Sequence, residues 1–140
     1  MIKFTINERA VPKKRPRLAR EGYVYTPKET RDFEQLVAHH AYQYMAEHNL
    51  SMLDGAVEAC LKVGRKVPAS WKGKKREAAL DGRIYPVCKP DIDNLEKSVW
   101  DGLNGIIWLD DSQIVKTRCE KIYSEKDFIR VEIHELTHPD

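Results

Sequence analysis

Apolar and polar side chains alternate from the first residues, with Ile2, Phe4 and Ile6 set against Lys3, Thr5 and Asn7. That period of two predicts a half-buried strand. The next stretch, Val11 to Arg17, holds Pro12 and Pro16 among Lys13, Lys14, Arg15 and Arg17. Two prolines oppose regular ladder pairing, so the pattern predicts an exposed basic loop followed by a short extended piece at Tyr23–Tyr25. Thr26, Pro27 and Glu29 resemble a helix start, with Thr26 as cap and Pro27 in the first position. Phe33, Leu36, Val37, Tyr44 and Met45 then recur at helical spacing toward Asn49.

Alternation returns at Ala56–Val63, where Val57, Ala59, Leu61 and Val63 are interleaved with Glu58, Cys60 and Lys62. Pro68 interrupts it, and Ser70 is placed to cap a short basic helix through Trp71 to Leu80, closed by Gly82. A third helix is predicted from Asp93, in a capping-box arrangement with Glu96, to Asn104-Gly105. Ile114–Ile122 and Phe128–Leu136 read as two closing strands joined by a polar turn at Ser124–Asp127. The order β-α-β-α-α-β-β points to an α+β fold, helices packed on a mixed β-sheet, as a single domain over residues 1–140.

The third predicted helix has two distinct faces. Leu95, Val99, Leu103 and Ile106 form an apolar stripe, whereas Asp93, Lys97 and Asp101 fall at i, i+4 and i+8 on a polar one. Asp91 and Asp93, two apart in extended chain, point the same way. A second acidic pair, Asp110-Asp111, follows a tight turn that can fold back toward the first. Carboxylates converging in this way call for a hard cation, and Mg²⁺ is the natural one. A lysine among them suits a phosphate that gains charge in the transition state. No His or Cys stands near these acids at ligand spacing, which disfavours zinc. His134 and His138, close to Pro139, read as a C-terminal tail.

Composition narrows the class. With 140 residues, 41% hydrophobic and 33% charged, the chain suits one ordered domain with a real core. No apolar run approaches the roughly 20 residues of a membrane span, and Met1-Ile2-Lys3-Phe4 reads as too short and mixed for a signal peptide. Cys60, Cys88 and Cys119 are odd in number and widely spaced, as expected of free thiols in a reducing cytoplasm. The formal net charge of +2 hides strong segregation. Arg9–Arg31 sums to +6, Lys62–Arg76 to +7, and Asp91–Asp111 to −5. Basic flanks about an acidic centre suit a polyanion held beside cations, although each run alone could be a solvated face. Lys13, Lys14, Arg15, Arg17 and Arg20 form one candidate polyanion-binding strip, and Lys72, Lys74, Lys75 and Arg76 another. Trp71, Tyr23 and Tyr25 stand inside or beside them, read first as core or edge aromatics and second as rings on which unpaired bases could stack.

The string KPDIDNLEKSVWDGLNGIIWLDDSQIV, Lys89 to Val115, resembles the signature of the RusA-type Holliday junction resolvases of bacteria and their phages. The matching positions are Asp91, Asp93, Asn94, Leu95 and Lys97, then Asp101 and Leu103, then Trp108, Asp110, Asp111 and Gln113. Pro12–Arg17 and Tyr25-Thr26-Pro27 also resemble the phage-type branch. The resemblance implies a Mg²⁺-dependent (or Mn²⁺-dependent) endonuclease that acts as a homodimer on four-way DNA junctions. Its metal-binding carboxylates would fall on Asp91, Asp93 and Asp111, and its essential lysine on Lys97, with Asp101 and Asp110 in support. Some members carry arginines just ahead of the first aspartate, where this chain has Lys89 and Pro90. Two other readings compete: a non-catalytic nucleic-acid-binding module whose acids serve as caps and turns, and a metal nuclease acting on flaps, forks or RNA.

Overall fold

The computed structural model describes residues 1–136. Strand β1 (Ile2–Ile6) forms where alternation predicts it, burying Ile2 and Ile6. Two-residue strands β2 (Arg17–Leu18) and β3 (Val24–Tyr25) pair as a small antiparallel hairpin. The basic segment is therefore a loop only up to Pro16, since the proline block on pairing ends there. Helix α1 (Lys28–Glu47) starts one residue later than predicted. Pro27 is its N-cap, and no side chain caps it, Thr26 included.

Strand β4 (Val57–Lys66) is followed by helix α2 (Lys74–Leu80), helix α3 (Ile92–Leu103), a 3₁₀ turn (Asp111–Gln113), β5 (Ile114–Ser124) and β6 (Phe128–Glu135). Helix α2 begins after Gly73 and not at Ser70, so Trp71 precedes it. The architecture is α+β, a four-stranded mixed sheet in the order β1-β6-β4-β5 with helices packed against it. Although a short turn joins β5 to β6, the two do not pair. β4 lies between them, parallel to β5 and antiparallel to β6. Its Val57, Ala59, Leu61 and Val63 are all buried, which explains the central position. His134 belongs to β6, not to a tail; His138 lies outside the described residues.

Helices α1 and α3 close the inner face. Val37 and Ala41 of α1 and Leu95, Val99 and Leu103 of α3 join Ile129, Val131 and Ile133 of β6 in one core. Each fully buried Val, Leu or Ile among them contributes about 1.5–3 kcal/mol. Gly102 sets the distance between the helices: a Cβ there would lie 2.9 Å from Val37 Cβ and 3.0 Å from the Glu34 carbonyl oxygen. The three cysteines are free thiols, as expected. Among the described residues no helix is long and apolar enough to cross a membrane.

Candidate active site

The apolar stripe of α3 is turned into the core, and this fixes the rotation of its polar stripe. Leu95 and Val99 are buried, so Asp93, Lys97 and Asp101 must lie toward the rim. Asp91 is the N-cap by backbone position, with an extended conformation and no side-chain capping hydrogen bond. The capping box expected at Asp93 and Glu96 does not form. Asp93 lies in the first turn, and Glu96 instead accepts a hydrogen bond from Thr117 Oγ1 of β5 at 3.0 Å. Neither Asp91 nor Asp93 is consumed as a side-chain cap.

The second acidic pair is delivered by a turn with its own internal framework. Gly105 adopts φ 83°, a left-handed conformation that glycine takes without penalty, and its amide bonds to the Trp108 carbonyl at 2.7 Å. Trp108 is fully buried, and its indole N–H donates to Asn104 Oδ1 at 2.7 Å. Gln113 secures the other side. Its Nε2 donates to the Leu53 and Gly55 carbonyls at 2.9 and 3.0 Å, and its Oε1 accepts from the Leu109 amide at 2.9 Å. Asp110 caps the 3₁₀ turn by accepting from the Ser112 amide, which holds its carboxyl below the usual range. Asp111 is left to face α3.

That arrangement brings Asp111 to Lys97. Lys97 Nζ donates to Asp111 Oδ2 at 2.9 Å and also lies 2.9 Å from Asp101 Oδ1. Those two hydrogen bonds, Asp101 first and Asp111 second, raise the Lys97 pKa far above its ordinary value despite partial burial. Lys97 is therefore a fixed cation at working pH. Asp101 is shared: its Oδ2 lies 3.1 Å from Lys13 Nζ, which also bonds to Glu34 at 2.6 Å. Glu34, Lys13, Asp101, Lys97 and Asp111 thus form an alternating row of charges.

The row shows how the basic amino-terminal loop reaches the acidic centre. The Lys13 amide donates to the Asn94 carbonyl in the first turn of α3 at 3.0 Å. Lys13 itself is turned inward into the row, while Lys14 is paired with Glu29 at 2.6 Å. Arg15 and Arg17 remain exposed. Of the second strip, Lys72, Lys74 and Lys75 are exposed and Arg76 is half-buried. Lys75 Nζ stands 4.1 Å from the Trp71 ring centre, and Trp71 packs on Tyr123 at 5.1 Å, so Trp71 has a protein partner.

Basic residues gather on the loop that leads into Asp91, and two of them, Arg65 and Lys121, carry no signal of their own in the sequence. Lys89 Nζ lies 3.1 Å from both Asp91 oxygens. Arg65 donates to the Lys89 carbonyl at 2.8 Å, and Lys121 Nζ donates to the Cys88 and Pro90 carbonyls at 2.9 and 3.1 Å. A cleft of about 380 Å³ beside them is lined by Arg9, Pro12, Glu29, Arg65 and Lys89 among others. Arg9 and Arg65 carried no local signal beyond lying in basic runs, since strand β4 and the loop after β1 bring them there.

The donors Asp91, Asp93 and Asp111 are all carboxylate oxygens at a solvent-facing rim, a set that fits a hard divalent cation and not a soft one. Ammonium groups on Asp91 and Asp111 already engage those carboxylates as a cation would. Asp111 meets the polar stripe of α3 at Lys97, one turn beyond Asp93. Among the described residues, however, the three carboxylates do not close to within 4.8 Å of one another; the set that does is Glu58, Cys60 and His134.

The chain is similar to known proteins along nearly its whole length. The sequence model of the family described as Endodeoxyribonuclease RusA matches residues 8–134. The chain is also 39% identical over 141 residues to an uncharacterized protein, YqaN, of Bacillus subtilis (strain 168), covering 97% of each. The family match begins just after β1, runs into β6 and covers nearly the whole chain, and on that basis the chain belongs to the RusA endodeoxyribonuclease family.

Proposed function

We propose that the chain is a Mg²⁺-dependent endodeoxyribonuclease, with Mn²⁺ as a substitute, that resolves four-way (Holliday) junctions by paired nicks. The observation that carries this reading is the meeting of Asp111 with Lys97 on the Asp93 face of α3, in a chain of the RusA family. Asp91, Asp93 and Asp111 would hold the ion, which when bound supplies Lewis-acid polarisation of the scissile phosphate and acidifies the attacking water. Lys97, locked in its charged form, stabilises negative charge that develops on the phosphate. Its raised pKa argues against a role as general base. Asp101 holds the Lys97 ammonium in place from the side opposite Asp111.

DNA backbone is held by cations around this centre. Arg15 and Arg17 of the amino-terminal strip, with Lys72, Lys74, Lys75 and Arg76 of the second, reach the arms of the branched DNA. Lys13 and Lys14, already paired with carboxylates, contribute less. Arg9, Arg65 and Lys89 line the cleft that leads to Asp91 and take the phosphates nearest the cut. A homodimer supplies two such centres related by a two-fold axis, matching the approximate symmetry of a junction and its two cut strands. No organic cofactor is needed, and the substrate places the work in the cytoplasm of a bacterial or phage-infected cell.

A nicking assay on a synthetic four-way junction tests the reading. Paired nicks with Mg²⁺, none with EDTA and little cutting of linear duplex are the expected results. Binding without metal-dependent nicking would establish a non-catalytic module, and preferential cutting of flaps or forks would reassign the substrate.

A further inference from the structure

The sheet face turned away from α3 carries a second group of metal-ligating side chains, unrelated to the aspartates. Glu58 and Cys60 are two residues apart on β4 and so project from the same face. Strand β6 runs antiparallel beside them, with His134 opposite Glu58 and Glu132 opposite Cys60. A carboxylate oxygen of Glu58, the Cys60 sulfur and a ring nitrogen of His134 all lie within 4.8 Å of one another, and each residue is half-buried.

We propose that Glu58, Cys60 and His134 form a binding site for a borderline-soft divalent cation of the zinc type, bridging the two central strands. Thiolate, imidazole and carboxylate together select zinc over magnesium, whose preference is for oxygen alone. Zinc bonds of roughly 2.0–2.3 Å in tetrahedral geometry place ligand atoms about 3.3–3.7 Å apart, so modest side-chain rotation closes the set. The fourth position is left to water. Glu132 lies 3.3 Å from His134 Nε2, the kind of carboxylate partner that orients a ligating imidazole. A cavity of about 220 Å³ adjoins the site at Cys60 and Glu132, its other walls including Lys3, Lys62, Arg118 and Arg130. As the zinc–sulfur bond forms, the thiol proton leaves to water, and no electron changes hands. Burial, then Glu58 and Glu132, push the free thiol's pKa up, consistent with both carboxylates lying close to the sulfur.

The other two thiols serve as internal controls. Cys119 is paired in register with Leu61 on the core side of the sheet, and Cys88 is exposed in the loop before Asp91. The test is a Zn²⁺ titration of the whole chain in saturating Mg²⁺, followed by chelator competition. A parallel Co²⁺ titration reads the thiolate-to-cobalt absorption band. One Zn²⁺ per chain and a cobalt–thiolate band are expected. Cys60→Ser and His134→Ala should each weaken Zn²⁺ at least about 100-fold, and Cys60→Ser should abolish the band. A Cys88→Ser, Cys119→Ser double variant should retain both. Glu58→Gln, nearly isosteric and safe for folding, should weaken Zn²⁺ about tenfold and stands as the deciding variant if the others fail to fold. Zn²⁺ affinity unchanged in Cys60→Ser or Glu58→Gln, or a band lost only with Cys88 and Cys119, would overturn the site.

Discussion

Lys97 Nζ lies 2.9 Å from Asp111 Oδ2, joining the middle of α3 to a 3₁₀ turn that begins eight residues beyond the helix end. This contact ties the two acidic segments of the chain into one centre. With Asp101 on its other side, it also fixes Lys97 as a cation.

Asp93→Asn should leave junction binding intact or slightly stronger, since it removes negative charge beside a polyanion. Cleavage should fall by several orders of magnitude. Gel-shift and single-turnover cleavage measured on the same preparation separate the two effects. Equal loss of both would remove Asp93 from the chemistry.

The Lys97 pKa is raised in the folded state, so its contribution to stability is complete below its ordinary value of 10.5 and is lost only as pH rises above that. Between pH 6 and pH 9 the cleavage rate should therefore carry no inflection from Lys97. Lys97→Met should abolish cleavage across that whole range, with a loss of stability in chemical unfolding that is the same at each of those pH values. A pH–rate profile whose inflection disappears in Lys97→Met would instead make Lys97 the titrating base.

Gln113 holds the acidic turn through two donated and two accepted hydrogen bonds. Gln113→Glu removes both donors and sets a charge against the Leu53 and Gly55 carbonyls. A cost of about 1–3 kcal/mol is expected in urea unfolding. Cleavage should drop further than the folded fraction does, because Asp111 is carried by the same turn.

Gly102→Ala should be destabilising by about 1–3 kcal/mol, since the added methyl meets Val37 and the Glu34 backbone where α1 and α3 cross. Thermal unfolding with and without a compensating Val37→Ala change checks the mechanism. The double variant should recover part of the loss.

Lys13→Ala removes a partly buried ion pair to Glu34 and Asp101, and should cost about 1–2 kcal/mol. Lys14→Ala breaks an exposed pair, and its effect should stay within about 0.5 kcal/mol. Equal effects in denaturant titrations would mean that the inward placement of Lys13 contributes no more stability than a surface pair.

Much of this molecule follows from local periodicity alone. The alternation at Ile2–Ile6 and Val57–Val63, and the apolar stripe of α3, determine which side chains face the core. They thereby set Asp93, Lys97 and Asp101 in one outward row, because strand and helix geometry are properties of neighbouring residues. Helix starts at Thr26, Ser70 and Asp93 were each displaced by one or a few residues, since a capping side chain competes with backbone and tertiary partners. The contacts that join distant segments belong to the tertiary structure. Asp111 reaches Lys97 because burial of Trp108 folds the turn back. Lys13 turns inward because two carboxylates meet it there, and Arg65 stands beside Asp91 because β4 carries it to that end of the sheet. His134 faces Glu58 only because β4 lies between β5 and β6. Strand order is set by which faces bury the most apolar surface across the whole chain, a sum over distant residues that no local window contains.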